Sequence, residues 1–214
     1  MKNIVIFGDS YSTYEGCIPE GYDTYYSPQG TANGPDVRKM QLEETWWKKA
    51  FGATGDHLLL NDSWSGSTIG YTGYDGDCSK TNSFIYRFRR LKEEGFFKKN
   101  TVDTVFVFGG TNDSWTGAPL GEIKFSNWEE QDLFQVLPAI SHFVGALKSE
   151  LPNAEIIVII NTDIKSEIQD ALQKAAEYYG VQYIRLKDID KDCGHPTPKG
   201  MSQISEQVLS ALRK

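Results

Sequence analysis

Five short apolar runs, separated by segments with helical spacing, constrain this chain more than anything else in it. The runs are Ile4–Phe7, the leucines Leu58–Leu60 within 57–61, Val102–Phe108, Glu155–Ile160 and Val181–Ile184. A short continuous apolar run bounded by turn residues reads as a strand buried on both faces. Between the runs, Leu42–Phe51, then Phe84, Ile85, Phe88 and Leu91, then Leu133, Val136, Leu137, Ile140, Val144 and Leu147, recur with helical spacing. Ile164–Tyr179 reads as a further helix. The last one starts at Thr197 as N-cap with Pro198 at the first helical position, and runs to about 212. Strands that alternate with helices predict a parallel sheet covered on both faces. The expected fold class is therefore α/β, a three-layer α/β/α sandwich with a five-stranded parallel sheet.

The strand order 2-1-3-4-5, the flavodoxin-like one, suits five such strands. It places strand 1 between strands 2 and 3, so the loops after these three strands become neighbours at one end of the sheet. Residues 1–214 are expected to form one domain, with an aromatic-rich insertion at about 12–40. That stretch carries Tyr14, Tyr22, Tyr25 and Tyr26 among glycines and prolines, and an ordered flap that could roof a site is expected of it. A second long loop is expected from Thr111 to Asn127. Pro138 is expected to interrupt its helix, and Arg87, Arg89 and Arg90 are expected on a solvated face.

The formal net charge of −7 argues against broad electrostatic binding to nucleic acid or to an anionic membrane. Three cysteines, an odd number at spacings that fit no metal motif, argue against a disulfide framework or a metal centre. No apolar stretch is long enough to span a membrane, and none at the N-terminus resembles a signal peptide. A cytoplasmic location is expected of the chain as given, or a secreted or periplasmic one if a leader has been removed.

The first strand runs into Gly8-Asp9-Ser10, where Asp9 and Ser10 can cap a helical turn. Ser10 would stand at the carboxyl end of a central strand, where open α/β sheets bind their ligands. A serine needs a base to become a nucleophile. Of three histidines, His57 precedes strand 2 at the wrong end of the sheet, and His142 lies in a helix off its apolar stripe. His195 follows strand 5 on the side of Ser10, and Asp192 three residues earlier could turn back onto its other ring nitrogen. Cys193 as a nucleophile is open in principle, but it sits too near His195 in sequence for easy geometry. Donors for a developing oxyanion could come from the Ser10 N–H, the Gly66 N–H and the Asn112 side chain.

These stretches together resemble the SGNH, or GDSL-type, hydrolases. Gly8-Asp9-Ser10-Tyr11-Ser12 resembles the family's first block, Ser65-Gly66 the glycine of its second, Gly110-Thr111-Asn112-Asp113 its third, and Asp192-Cys193-Gly194-His195-Pro196 its fifth. The resemblance implies ester hydrolysis without a cofactor. It also implies Ser10 as nucleophile, His195 as base and Asp192 as its orienting carboxylate, with Ser10, Gly66 and Asn112 as oxyanion donors. Asp9 is expected to be structural.

The expected substrate is a small acyl group, often acetyl, on a carbohydrate or similar polar alcohol, with Tyr25, Tyr26, Trp64, Tyr71 and Trp115 as aromatic platforms beside Tyr74. A lysophospholipase or thioesterase remains an alternative. So, more remotely, does a flavodoxin-like module that binds FMN, in which Ser10, Ser12 and Thr13 would cradle a phosphate.

Overall fold

The computed structural model describes residues 1–30 and 34–213. Residues 31–33, part of the expected 12–40 insertion, lie outside the described residues. The chain begins with strand β1 (Asn3–Gly8), followed by helix α1 (Trp46–Thr54), strand β2 (His57–Ser63) and a small hairpin of β3 (Thr72–Gly73) and β4 (Gly76–Asp77). Helices α2 (Phe84–Glu93) and α3 (Phe96–Lys99) lead to β5 (Thr104–Phe108), α4 (Thr111–Trp115) and α5 (Val136–Glu150). Then come β6 (Glu155–Ile160), α6 (Ser166–Tyr179), β7 (Gln182–Arg185), a second small hairpin of β8 (Lys191–Asp192) and β9 (His195–Pro196), and α7 (Pro198–Leu212).

The five long strands form one sheet in the order β2-β1-β5-β6-β7, all pairs parallel. This is the expected order, counted over the strands of the sheet. Alternate residues of β1 face opposite layers. Val5 and Phe7 join the core under α2, α5 and α6, while Ile4 and Ile6 join the core under α1 and α7. Gly8 pairs with Ser63 of β2 and with Phe108 of β5. The three strands therefore end level, and the loops that follow them leave the sheet side by side.

Three local expectations change. Pro138 does not interrupt α5: it is the third residue of the helix, in the first turn, where the ring takes away no hydrogen bond the helix needs. The loop expected from Thr111 begins instead as α4, with its N-cap Gly110 at φ +94°. Arg87 is not solvated. Its guanidinium is fully buried, 2.7 Å from Asp62 Oδ2. It also donates to the Gly8 carbonyl and to Ser67 Oγ, both at 3.2 Å, and to the Asp62 carbonyl. Arg89 pairs with Glu130 at the surface, while the half-buried Arg90 pairs with Glu94, donates to the Tyr22 hydroxyl at 2.6 Å and lies 3.8 Å from Asp62 Oδ1.

The stretch after Ser12 packs its aromatics into the core. Tyr14, Tyr25, Tyr26, Val37 and Met40 are buried in the core under α1 and α7. Trp46 and Trp47 of α1 pin it from below, their indole N–H groups donating to Ser12 Oγ at 3.1 Å and to the Ser12 carbonyl at 3.0 Å. Two of its aromatics, Tyr25 and Tyr26, reach the loop that carries His195.

Candidate active site

The C-terminal end of β1 turns through Asp9 into a single 3-10 turn, Ser10–Ser12. The Asp9 carboxylate caps that turn by accepting from the Tyr11 N–H at 3.0 Å. Asp9 is fully buried, and desolvation pushes its carboxyl up to about 7, against the pull of that N–H. It holds the turn, the structural part expected of it.

Ser10 Oγ lies 3.0 Å from His195 Nε2, although the two are 185 positions apart in sequence. His195 comes from the β8–β9 hairpin. That hairpin closes in two residues, Cys193 at φ +47° and Gly194 at φ +77°, the tight turn that needs positive φ at both positions. The turn brings the Cys193 carbonyl to 3.2 Å from His195 Nδ1. A carbonyl can only accept, so Nδ1 carries the proton and Nε2 keeps its lone pair for the Ser10 hydroxyl. Asp192 does not take the orienting place expected of it. Its side chain is exposed and engages the Cys193 thiol. The turn satisfies Nδ1 with main chain before the carboxylate can reach it.

Burial brings His195 down to about 4, opposed by the Cys193 carbonyl and helped by the cations of Arg38 and Lys191. The imidazole is thus uncharged at neutral pH. Its ring is enclosed by aromatics. Tyr25 stacks on it at 3.6 Å between ring centroids and 6° between planes. Trp115 meets it edge-on at 5.6 Å, and Tyr11 lies tilted to it by 50° at 5.4 Å.

The three expected oxyanion donors stand on the three adjacent loops. Among the described residues, the N–H groups of Ser10 and Gly66 have no hydrogen-bond acceptor. Gly66 sits at φ +82°, a backbone conformation that suits glycine. Asn112 is buried in the first turn of α4. Its Nδ2 spends one hydrogen on the Ser67 carbonyl at 2.9 Å, and its Oδ1 accepts from the Tyr74 hydroxyl at 3.2 Å. One amide hydrogen remains for a ligand.

Two residues that sequence reasoning left out brace this frame. Asp113 accepts from the N–H groups of Ile69 and Gly70, which ties the loop after β2 to α4. Arg87 ties the same loop to the Gly8 carbonyl, two residues before Ser10. Arg87 had a signal, since it lies three positions after Phe84 and four before Leu91, on the apolar stripe of α2.

The expected aromatic platforms divide. Tyr26 and Tyr71 are fully buried, their hydroxyls bonded to the Pro196 carbonyl and to Glu130. Neither can carry a sugar. Tyr25 spends a face on His195. Trp64 stacks on Tyr22 at 4.1 Å and donates to Asp23. Trp115, 42% exposed, and Tyr74, 56% exposed, remain at the rim.

A cleft of about 300 Å³ opens beside Gly66, lined by Tyr74, Asp75, Asp77, Thr81 and Asn82 among others. A larger and more apolar cavity of about 820 Å³ lies elsewhere, along the outer edge of β2 between Leu58 and α1, and contains neither Ser10 nor His195. The smaller cleft does not contain them either, but Gly66, one of the three expected oxyanion donors, lines it. Among the described residues no cluster of His, Cys, Asp and Glu could hold a metal ion, and no helix is long and apolar enough to cross a membrane.

The family model of GDSL-like lipases and acylhydrolases matches residues 2–212. A crystal structure described as a GDSL-like lipase from Bacteroides ovatus is 36% identical, with a TM-score of 0.89 over 100% of this chain and 98% of its own. One of the same description from Bacteroides uniformis is 38% identical, with a TM-score of 0.88 over 100% and 96%. An acetyl xylan esterase from the rumen bacterium Butyrivibrio proteoclasticus shares the fold at 19% identity and a TM-score of 0.62, over 99% of this chain and 63% of its own. No curated protein sequence matches the chain.

Proposed function

Since the chain belongs to the family of GDSL-like lipases and acylhydrolases, we propose that it is a serine esterase that removes a small acyl group, acetyl foremost, from a carbohydrate or similar polar alcohol. The observation that carries the serine mechanism is the 3.0 Å contact of Ser10 Oγ with a His195 whose Nδ1 is turned to a carbonyl. Ser10 Oγ attacks the ester carbonyl while Nε2 takes its proton. The tetrahedral oxyanion is held by the N–H groups of Ser10 and Gly66 and by the free amide hydrogen of Asn112. The C–O bond to the alcohol then breaks, and the alcohol leaves with the proton from Nε2. Water, activated by the same nitrogen, attacks the acyl-Ser10 and releases the acid, restoring Ser10 and a neutral His195.

The small polar substrate is supported by the cleft beside Gly66. Its carboxylates, hydroxyls and amide suit a hydroxylated leaving group rather than an alkyl chain, and Trp115 offers an exposed ring at the rim. The larger apolar cavity lies away from the nucleophile. The same fold serves the acetyl xylan esterase named above.

The test is fluorophosphonate labelling of wild type and Ser10→Ala, read by intact mass and peptide mapping, followed by rates on acetylated sugars against esters of increasing acyl length. A label at Ser10 that vanishes in the variant, with acetyl esters turned over fastest, is the expected result. A wild-type protein that takes no label and hydrolyses no ester overturns the proposal. Faster turnover of long acyl chains overturns its substrate half.

A further inference from the structure

We propose that Tyr25, with Tyr11 and Tyr26, positions the imidazole of His195; the proposal rests on the serine-esterase reading. An imidazole that serves as a base must be fixed in tautomer, in ring plane and in main-chain position. The Cys193 carbonyl at 3.2 Å fixes the tautomer, but one hydrogen bond leaves the ring free to tilt about it. The Tyr25 ring, 3.6 Å away and within 6° of parallel, fixes the plane by covering a whole face. Tyr25 is held in turn by the edge of Tyr26 at 4.9 Å and by the Arg38 guanidinium, 4.5 Å from its ring centroid.

The main chain is held on both sides of His195. The Tyr11 hydroxyl donates to the carbonyl of Gly194, the residue before it, and the Tyr26 hydroxyl donates to the carbonyl of Pro196, the residue after it, at 2.9 Å. All three tyrosines come from the segment that starts at the nucleophile. That segment is tied to itself by the Tyr25 N–H donating to Thr13 Oγ1 at 2.9 Å and the Glu15 N–H to the Tyr26 carbonyl at 3.0 Å.

The π face has a second use. When Nε2 takes the proton from Ser10, the imidazolium lies against the negative face of the Tyr25 ring, an attractive arrangement for a cation. Among the described residues, the hydrogen bond at His195 Nδ1 comes from a main-chain carbonyl, and the Asp192 side chain engages the Cys193 thiol. The aromatic stretch after Ser12 is thus tied to the base, where the sequence suggested a platform for substrate.

The experiment measures kcat and KM on a small chromogenic acetyl ester, and the rate of fluorophosphonate labelling, for wild type, Tyr25→Leu, Tyr25→Phe and Tyr26→Phe. Tyr25→Leu is expected to lower kcat about 10- to 100-fold, a part of what a general base contributes, with KM nearly unchanged and labelling slowed in parallel. Tyr25→Phe keeps the ring and is expected to restore kcat to near wild type. Tyr26→Phe removes a single oxygen, so it tests the clamp even if Tyr25→Leu fails to fold, and a several-fold loss confined to kcat is expected.

Wild-type kcat in Tyr26→Phe and in a folded Tyr25→Leu overturns the proposal. A loss confined to KM also does, because it would make Tyr25 a substrate contact. If wild type labels at Ser10 and Tyr25→Leu labels equally fast, only the clamp fails. If wild type neither labels nor hydrolyses, the esterase reading itself fails.

Discussion

At the residue scale, the site separates side chains that touch the reacting atoms from side chains that only sit near them. Asp192 is the sharpest case. In a Ser-His-Asp triad the carboxylate holds the tautomer and stabilises the imidazolium, and removing its charge costs about 10⁴-fold in kcat. Here the Cys193 carbonyl holds the tautomer, and the charges that His195 feels are those of Arg38 and Lys191. Asp192→Asn is therefore expected to change kcat/KM by no more than about threefold, far short of the loss at a triad carboxylate. A thousandfold loss on acetyl esters would return the carboxylate to the ring. Asn112 stands on the other side of that line, with one amide hydrogen left for the oxyanion and its oxygen fixed by Tyr74. Asn112→Ala is expected to lower kcat about 100- to 1000-fold, the usual loss for one such donor. An unchanged rate on the same esters would remove it from the hole.

At the scale of elements, the strands and long helices were legible because each carries its own pattern. β1, β5 and β6 are continuous apolar runs, and α6 has regular helical spacing. Ser10, Gly66, Asn112 and His195 were legible because each follows a strand of that sheet, and the order of the sheet brings their loops together. The hairpins β3–β4 and β8–β9 were not legible, since two-residue strands carry no period. The bond from the Cys193 carbonyl to His195 was hidden with the second of them. The burial of Tyr26 and Tyr71 was hidden for another reason. A tyrosine that anchors a carbonyl and one that offers a face to solvent look alike until the partner is placed. Arg87 shows the limit of pattern from the other direction, a charged residue on an apolar stripe of α2. Its guanidinium and Asp62 are both without exposure, and cutting the pair leaves the buried carboxylate with only the Tyr22 hydroxyl at 3.1 Å and Arg90 at 3.8 Å. Arg87→Met is expected to destabilise the fold by about 3–5 kcal/mol. It should also loosen the ties to Gly8 and Ser67 that hold two of the site's loops together. Urea unfolding followed by tryptophan fluorescence measures the loss, and a change under about 1 kcal/mol, the scale of a surface pair, would mean that Arg90 and Tyr22 suffice to hold Asp62.

For the molecule as a whole, the groups packed beneath the site set opposing dependences on pH. Burial raises Asp9 from 3.8 to about 7 and Asp113 from 3.8 to about 6. A carboxyl raised on folding binds its proton more tightly in the native chain, so its contribution is full below about 4 and is lost as pH rises through the folded value. His195 is lowered from 6.5 to about 4. Its contribution is full above 6.5 and is lost as pH falls through about 4. Between those limits the native chain gains two protons at the aspartates, while the unfolded chain gains one at the histidine. Native proton uptake wins, so stability rises on going from pH 8 towards pH 5. Below about 4 the exposed carboxylates that folding lowers, such as Asp163 beside Lys191 and Glu130 beside Arg89, pull the other way. The base meanwhile stays neutral down to about 4, so kcat/KM should hold to pH 5 and fall only near pH 4, well below the ordinary range of a histidine. Urea unfolding at pH 5 and pH 8 checks the stability half. Asp9→Asn, which keeps the acceptor for the Tyr11 N–H and removes the titration, is expected to flatten the difference. If the variant keeps the full slope, Asp9 is not the group that titrates. If kcat/KM of the wild type falls instead through pH 6.5, the burial of His195 does not hold its proton off, and the neutral base at the centre of the mechanism is lost with it.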